Sequence, residues 1–404
     1  MTTTCKRLAL AALLALLGVL ACEFQPGTST GGANVETVVA QTMQALTPDA
    51  TASESTPGPL ASGSLPHALY FLNADSTGFQ QVYRLEEDGT TVRQITFEPS
   101  TVETYDVSPR DGSVAYTSNN QLLMVGADGA GRQVLVDGGP LGSDESYITH
   151  RVGRVAWSPD GETVAFGYGG LNFYAVGSGA VNRVLENMID TSPGIPILRE
   201  GYAPVAYAPD GRMLLINIGY YEGSVYALYH LDGNILVRSQ EDAVSCCEGS
   251  WTPDGSAYYA ASPYMGLIPP GMWRLNADGT VVDLLVYDSS TNGAVPFAQA
   301  PILGPDGRLY FFYNSVPNLT DIPSRMPMYM VRSEPDGVTG RTNLVATPFE
   351  GVNEILWAPD ASFAILTFAL IPEDYRGGRA EAVYTDGRPT VSLLPYASNM
   401  RWGP

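Results

Sequence analysis

The chain has 404 residues, of which 42 are acidic and 21 are basic, so its formal net charge at pH 7 is −21. Such a charge repels nucleic acid and anionic membrane surfaces, and we expect neither to bind the folded chain directly. It suits either an ordinary solvated surface or a cationic partner. Hydrophobic residues make up 45% of the chain, which is enough to build a large folded core.

Residues 1–21 have the pattern of a secretion signal. A basic pair precedes an apolar run from Leu8 to Leu20, which is too short to cross a bilayer comfortably. The run ends in V-L-A-C, and this resembles the bacterial lipoprotein signal, in which cleavage precedes the cysteine and its sulfur carries lipid. The resemblance implies lipidation of Cys22 and a membrane-anchored, extracytoplasmic location in the cell envelope. The alternative is an ordinary secretory signal that happens to contain a cysteine.

Residues 22–65 are rich in Gly, Ser, Thr, Pro and Ala. A segment of this composition cannot bury enough apolar surface to fold, so we predict a flexible tether after the cysteine. Within it, residues 35–46 carry apolar side chains at helical spacing. They form either a short helix that docks on a surface or a frayed helix within the linker.

A motif returns at intervals of 44 to 54 residues throughout residues 66–404. It reads W-S-P-D-G from Trp157, Y-A-P-D-G from Tyr207 and W-T-P-D-G from Trp251, with apolar runs on both sides. The prolines of all copies, weaker ones included, are Pro109, Pro159, Pro209, Pro253, Pro305, Pro359 and Pro404. Proline sets φ, aspartate caps the turn and glycine takes positive φ, so we interpret the motif as a structural turn rather than a calcium loop. The aromatic residue before it is expected to pack between neighbouring repeats.

A second tight turn, usually Asp-Gly, lies between successive copies. Its glycines are Gly89, Gly129, Gly179, Gly233, Gly279, Gly337 and Gly387. Two turns per period imply four antiparallel strands, the signature of a β-propeller blade. The first period lacks its inner strand, and the C-terminal S-N-M-R-W-G-P is an inner strand without a sequel. Together they predict an all-β, seven-bladed, monomeric propeller whose ring is closed by the C-terminal strand.

The repeat resembles that of the TolB-type, WD-repeat-like propeller family over nearly all of residues 66–404. The resemblance implies the fold and says little about function. TolB carries an additional α/β domain, and prolyl-peptidase relatives carry a hydrolase domain. Neither is recognisable in this sequence.

Strand direction divides the connections between strands into two faces. Tight turns occupy one face, which we call the tight-turn face. Longer connections occupy the other, which we call the loop-rich face, and they span 137–150, 187–202, 262–271, 313–327 and 370–379. Function tends to lie on variable loops, and aromatic, Met and Arg side chains are enriched at protein interfaces. The candidate binding residues are therefore Tyr220, Tyr221, Tyr264, Met265, Arg325, Met326, Tyr375 and Arg376. The alternative is that these side chains form small local cores beneath the long loops.

Cys246 and Cys247 are adjacent, and their place before an inner strand puts them near the same face. An exported compartment permits disulfides, so a strained vicinal disulfide is possible. The alternative is a pair of free thiols.

Patterns for catalysis or metal binding are sparse. The three histidines, His67, His150 and His230, show no zinc spacing, and no G-x-S-x-G motif occurs. We predict no cofactor and no metal. Carboxylates from different blades could still pair at the mouth of the central channel, and the loop acids are Glu200, Asp242, Glu248, Asp321, Glu373 and Asp374.

The sequence therefore favours a non-catalytic binding or scaffold propeller that recognises a protein or peptide partner. A hydrolase or lyase acting on a glycan or small molecule, and a purely structural envelope component, are the alternatives.

Overall fold

The computed structural model describes residues 65–142, 149–192, 196–221, 223–239, 249–262, 270–287 and 293–404. These residues lie in the unit Pro57–Pro404. They form 28 β-strands and a short 3-10 helix, Leu319–Asp321. Within these ranges, no helix is long and apolar enough to cross a membrane. The predicted signal, Cys22 and residues 23–64 of the tether lie outside them. Leu65, the last residue of the predicted tether, is 5% exposed and packs in the core with Leu69, so it belongs to the folded part.

The described strands form six antiparallel sheets, and five of these are built from consecutive strands. The chain opens with β1 (Leu69–Ala74), β2 (Gln80–Leu85) and β3 (Val92–Gln94). Sheet 2 contains β4 (Val102–Val107), β5 (Val114–Ser118), β6 (Gln121–Val125) and β7 (Gln133–Asp137). Sheet 3 contains β8 (Val152–Trp157), β9 (Thr163–Tyr168), β10 (Gly170–Ala175) and β11 (Val181–Glu186). Sheet 4 contains β12 (Met188–Asp190), β13 (Ile197–Tyr207), β14 (Met213–Tyr220), β15 (Gly223–His230) and β16 (Ile235–Arg238).

The remaining strands complete the set. Sheet 5 contains β17 (Gly249–Trp251), β18 (Ala257–Ser262), β19 (Gly271–Asn276) and β20 (Val281–Val286). Sheet 6 contains β21 (Val295–Leu303), β22 (Leu309–Val316), β23 (Tyr329–Ser333) and β24 (Thr342–Asn343). The last strands are β25 (Val352–Trp357), β26 (Phe363–Phe368), β27 (Gly378–Tyr384) and β28 (Val391–Trp402).

Strands from both ends of the described chain share one sheet, which we call the joined sheet. Its order is β25-β26-β27-β28-β1-β2-β3. The first part of β28 pairs with β27, with Val391 opposite Ala382. The last part of β28 pairs with β1, with Trp402 opposite Leu69. The first and last described strands are therefore hydrogen-bonded neighbours.

The burial of each strand follows its place in the sheet. All five residues of β5 and all six of β18 are buried, as expected for strands covered on both faces by neighbouring sheets. The outer strands β7 and β11 are mostly exposed and carry polar residues between their valines. Apolar runs in the sequence thus mark strands such as β5 and β18, which lie second in their sheets, and alternating runs mark the outer strands.

Seven buried clusters occur among the described residues, and each joins two neighbouring groups of strands. Six of them lie in succession, from the β1–β2 side of the joined sheet through sheets 2 to 6 and on to β25–β27. The seventh packs Leu69 and Phe71 of β1 against Phe363 and Ile365 of β26. The apolar core is therefore divided among the interfaces between neighbouring groups of strands.

The Pro-Asp-Gly turns have the predicted structural role. Asp160 Oδ1 accepts a hydrogen bond from the backbone N–H of Glu162, two residues further on, at 2.9 Å. Gly161 has φ of 69°. In the W-A-P-D-A copy, Ala361 stands at the glycine position and has φ of 56°, a region that side chains disfavour. These turns are held by hydrogen bonds within the turn itself, including those to the aspartate side chain.

Several boundaries of the sequence interpretation differ from the structure. Strand β22 continues to Val316 and so covers the start of the predicted connection 313–327. The connection 187–202 is partly strand, because β12 pairs with the extended start of β13 and places Met188 opposite Glu200. In addition, the run H-A-L-Y-F-L predicts a strand that begins at His67, whereas β1 begins at Leu69. These boundaries depend on backbone pairing that local residue patterns leave unspecified.

Candidate binding face

Arg325 lies at the centre of a group of contacts on the loop-rich face. Its Nη1 donates to the carbonyl oxygen of Gly351 at 3.2 Å and to Oδ1 of Asn353 at 2.9 Å. Its Nη2 donates to the carbonyl oxygen of Asp374. The guanidinium lies 4.5 Å from the centroid of the Tyr375 ring. One half-buried arginine thereby joins the connection after β22, the start of β25 and the connection between β26 and β27.

The connection between β26 and β27, residues 370–377, exposes a group of apolar side chains. Leu370 is 59% exposed, Ile371 is 54% exposed and Tyr375 is 64% exposed. Single exposed apolar residues are ordinary, so three within one short connection mark it as a candidate contact surface. We call these three residues the apolar crown.

Glu354 holds the base of this connection. Its Oε1 accepts a hydrogen bond from the backbone N–H of Gly377 at 3.0 Å, and its Oε2 accepts one from that of Asn399 at 2.5 Å. Burial raises the pKa of the Glu354 carboxyl, and these backbone donors oppose the shift. The carboxylate thus ties the connection that carries the apolar crown to the last strand, β28. Together, Arg325 and Glu354 give the crown a fixed support.

We predict that Arg325→Ala loosens this connection. The variant loses charge-assisted hydrogen bonds to backbone carbonyls, so amide hydrogen exchange across residues 370–377 should become about tenfold faster. The matched control is Arg376→Ala, because Arg376 is exposed in the same connection. Equal exchange rates in wild type and Arg325→Ala would show that the arginine does not anchor the crown.

The other sequence candidates are distributed differently. Met326 packs partly against the cluster between sheet 6 and β25–β27. Tyr221 is 77% exposed in the turn after β14, whereas Tyr220 is half-buried against the core between sheets 3 and 4. The described residues bring Arg325 and Tyr375 together, and they place the tyrosine pair on sheet 4. Tyr264, Met265, Cys246 and Cys247 lie outside the described residues.

Glu200, one of the candidate acids, belongs to a network on sheet 4. It accepts hydrogen bonds from Arg238 Nη2 at 2.6 Å and from the Tyr202 hydroxyl. Arg238 holds the pKa of Glu200 below its ordinary value, and burial raises the pKa of Tyr202 to about 12. Glu200 is therefore an ionised partner of Arg238, and it is a poor general acid. Asp242 and Glu248 lie outside the described residues.

One further charged residue lies on an inner strand and was not singled out from the sequence. Asp106 accepts a hydrogen bond from the backbone N–H of Trp157, in the next sheet, at 2.7 Å. Burial raises its pKa, and the nearby Arg401 opposes the shift. This acid joins two sheets through a backbone contact. No short sequence motif marks it, because its partner is an N–H about fifty residues away.

A small pocket lies elsewhere on the loop-rich face, with a volume of about 180 Å³. It is lined by His150, Tyr168 and Arg183, among others. The His150 ring contacts Tyr168 at 6.3 Å between ring centroids, and its Nδ1 lies 2.7 Å from Oγ1 of Thr149. Across the described part of the chain, no three His, Cys, Asp or Glu side chains converge as a metal site would require.

Comparison with known proteins identifies the kind of fold. No family model matches the sequence, and no curated protein matches it. An oligogalacturonate lyase in complex with manganese matches with a TM-score of 0.52 at 10% identity, over 83% of this chain and 86% of that chain. The oligogalacturonate lyase from Vibrio parahaemolyticus matches with a TM-score of 0.50 at 15% identity, over 75% and 83%. TolB from Acinetobacter baumannii matches with a TM-score of 0.40 at 15% identity, over 82% and 81%.

The class of protein follows from the sheets and the two lyase matches. The chain has an all-β fold of the β-propeller kind, as the repeat predicted. At identities of 10% and 15% the likeness concerns the fold alone.

Proposed function

We propose that this chain is an envelope-anchored binding propeller that recognises a protein or peptide partner through its loop-rich face. In this proposal the chain is a monomer and catalyses no reaction of its own. The lipid on Cys22 anchors it, and residues 22–64 are the tether between the membrane and the propeller.

The same proposal gives the propeller seven blades. The joined sheet would then be two blades, one made of β25–β27 with the first part of β28 and the other of the last part of β28 with β1–β3. Support comes from the pairing of β28 with both neighbours and from the cluster that packs β1 against β26. Ring closure removes open sheet edges, which otherwise promote aggregation.

The observation that carries the binding function is the apolar crown on its anchored connection. Leu370, Ile371 and Tyr375 are more than half exposed, while Arg325 and Glu354 fix the backbone beneath them. A preorganised apolar surface loses little conformational entropy when it binds. Tyrosine and arginine side by side are also typical of the residues that dominate binding energy.

The test is capture of partners by two matched variants of the chain without its signal. One variant replaces Leu370, Ile371 and Tyr375 with serine. The control replaces Ile235 and Val181 with threonine, since these are 55% and 49% exposed on outer strands. We expect wild type and control to retain the same envelope protein from solubilised host envelopes, and the crown variant to lose it. Retention by a folded crown variant would count against this face.

The anchor gives a separate prediction. When the full chain is expressed in a bacterium fed an alkyne fatty acid, we expect the label to be incorporated in wild type and to be absent from Cys22→Ala. The physical reason is that the sulfur of Cys22 is the acyl acceptor in the lipoprotein interpretation. A wild-type chain without label, cleaved at another position, would instead indicate an ordinary secretory signal.

A further inference from the structure

The pocket of about 180 Å³ on the loop-rich face lies where three connections meet. Thr149 and His150 precede β8, Tyr168 and Gly169 lie at the turn from β9 to β10, and Asn187 joins β11 to β12. Residues that are far apart in the sequence therefore surround one space.

Arg183, on β11, brings an incompletely paired guanidinium to this pocket. Its Nη1 lies 3.7 Å from Oε1 of Glu186, whose side chain is 80% exposed. Its Nε donates to Asn172 Oδ1 at 3.4 Å, and Nη2 has no acceptor among the described residues. The Arg183 side chain is 41% exposed, so a ligand can reach it. In a chain with 42 acidic and 21 basic residues, an arginine so loosely paired is unusual.

The guanidinium of Arg183 is held in place from beneath. Asn172 is 1% exposed, and its Nδ2 donates to the carbonyl oxygens of Tyr168 and Gly170 at 2.9 and 3.0 Å. Because both amide hydrogens are used in the turn, the amide oxygen is the atom left for Arg183. The guanidinium carbon also lies 6.0 Å from the centroid of the Tyr168 ring. These contacts position the arginine before any ligand binds.

Gly169 keeps the space beside Nη2 open. The residue has φ of 61°, a region that side chains disfavour. A Cβ at this position would lie 3.1 Å from Arg183 Nη2 and 2.9 Å from the carbonyl oxygen of Thr149. Nη2 therefore lies directly against the wall of the pocket that Gly169 forms, and a side chain there would press on it.

Two further side chains of the pocket have a donor left over. Asn187 Oδ1 accepts a hydrogen bond from the backbone N–H of Tyr202 at 3.0 Å, so the amino group is its remaining polar group. His150 Nδ1 lies 2.7 Å from Thr149 Oγ1, so Nε2 is its remaining ring nitrogen. The His150 backbone is fixed, because its carbonyl oxygen accepts a hydrogen bond from the buried Asn120 at 2.9 Å. The lining thus supplies donors from an arginine, an asparagine and a histidine.

We propose that this pocket binds a carboxylate on a short alkyl chain, of the kind carried by a glutamate side chain or a small free acid. A planar guanidinium with neighbouring N–H donors matches a carboxylate. One arginine beside the exposed Glu186 suits a single negative charge better than the double charge of a phosphate. Ile189 and the Tyr168 ring line the pocket and can cover the alkyl chain.

The size and position of the pocket narrow the proposal. Its volume of about 180 Å³ is below the roughly 300–1,000 Å³ of pockets for drug-sized ligands, so it suits a group the size of one side chain. The net charge of −21 repels anions at long range, so capture depends on direct hydrogen bonds. The pocket lies beside β8–β12, whereas the apolar crown lies between β26 and β27. The two proposals can therefore fail independently.

The test is ligand-observed fluorine NMR of the full chain in detergent with trifluoropropionate, and with trifluoropropionamide as the neutral probe of the same shape. We expect saturable line broadening with the acid, with a dissociation constant on the order of millimolar, and none with the amide. Arg183→Gln should weaken binding about tenfold or more, because a charge-assisted contact is lost. Glu186→Gln should strengthen binding severalfold, because it removes a like charge beside the ligand, and a merely structural effect would not tighten binding.

Two more variants control for changes in the fold. Asn187→Asp keeps an acceptor for the Tyr202 N–H but replaces the amino donor with a carboxylate oxygen, so it should abolish binding. Arg110→Gln should change nothing, because Arg110 lies 3.7 Å from Glu162 in an equally loose pair on the tight-turn face. The proposal is overturned if trifluoropropionate fails to saturate, if the amide binds equally well, or if Arg183→Gln binds the acid as wild type does.

Competition identifies the source of the carboxylate. Propionate represents a small free acid, and N-acetylisoglutamine carries its carboxylate on a glutamate side chain. Tighter competition by N-acetylisoglutamine assigns the pocket to a peptide or protein, and tighter competition by propionate assigns it to a free acid. Displacement of the fluorinated acid by inorganic phosphate at lower concentration than by either competitor would overturn the proposal.

Discussion

Deletion of residues 397–404 is expected to lower the free energy of unfolding by more than about 5 kcal/mol. Ala397 and Met400 are buried in the cluster that joins β1 to β26, and Trp402 packs edge-on against Phe363 at 6.2 Å. Their loss removes buried apolar area and exposes the edge of β1. Because a domain is stable by only about 5–15 kcal/mol, most of its stability would be lost.

The last strand, β28, is also held by side-chain hydrogen bonds, in addition to the backbone hydrogen bonds between paired strands. The Tyr105 hydroxyl donates to the carbonyl oxygen of Asn399 at 2.6 Å, and the backbone N–H of Asn399 donates to Glu354. The measurement is chemical denaturation of residues 65–404 against residues 65–396. We expect the shorter chain to aggregate or to unfold at far lower denaturant. Coincident unfolding curves would contradict closure by this strand.

Glu98→Ala is expected to lower the free energy of unfolding by about 3 kcal/mol. The Glu98 side chain is 4% exposed and accepts two hydrogen bonds from Arg132, at 2.7 and 2.9 Å. It also accepts one from the Tyr116 hydroxyl at 2.7 Å. Removing the carboxylate leaves the buried phenol without its acceptor. The matched control is Glu103→Ala, whose carboxylate pairs with Arg151 at 3.2 Å but is 44% exposed, so we expect a change below about 1 kcal/mol.

The effect of Glu98 depends on pH in a definite direction. Arg132 holds the pKa of the Glu98 carboxyl below its ordinary value, so the folded state favours the ionised form. Its stabilisation is complete above the unfolded pKa of about 4.3 and is lost as the pH falls through the lower folded value. The stability difference between wild type and Glu98→Gln should therefore shrink below about pH 4. A difference that stayed constant from pH 7 to pH 3 would mean that the ion pair does not stabilise the fold.

The fold was predictable because its signals are local. Pro-Asp-Gly and Asp-Gly turns depend on the conformational preferences of the residues themselves, and they return at a regular interval. The position of the loop-rich face was predictable, because strand direction decides which connections lie together on one face and the long ones share a face. Arg183 and Gly169 are visible in the sequence, but the pocket that they line depends on three connections that meet only in the folded chain.

The contacts that shape the candidate face were not predictable in this way. Arg325 binds the backbone carbonyls of Gly351 and Asp374, and every residue type has such a carbonyl. Glu98 and Arg132 are 34 residues apart, and each lies in a connection between strands. Their pairing depends on the three-dimensional arrangement of the strands, so it cannot be predicted from a single sequence.

The most direct test of the central claim is a cross-linking map of the bound partner on this chain. The captured envelope protein would be cross-linked to the immobilised wild-type chain, and the linked peptides would be identified by mass spectrometry. The account predicts links within residues 313–327 and 370–379, around Arg325 and the apolar crown. Links confined to the tight-turn face, or no retained protein with the chain folded, would contradict binding through the loop-rich face.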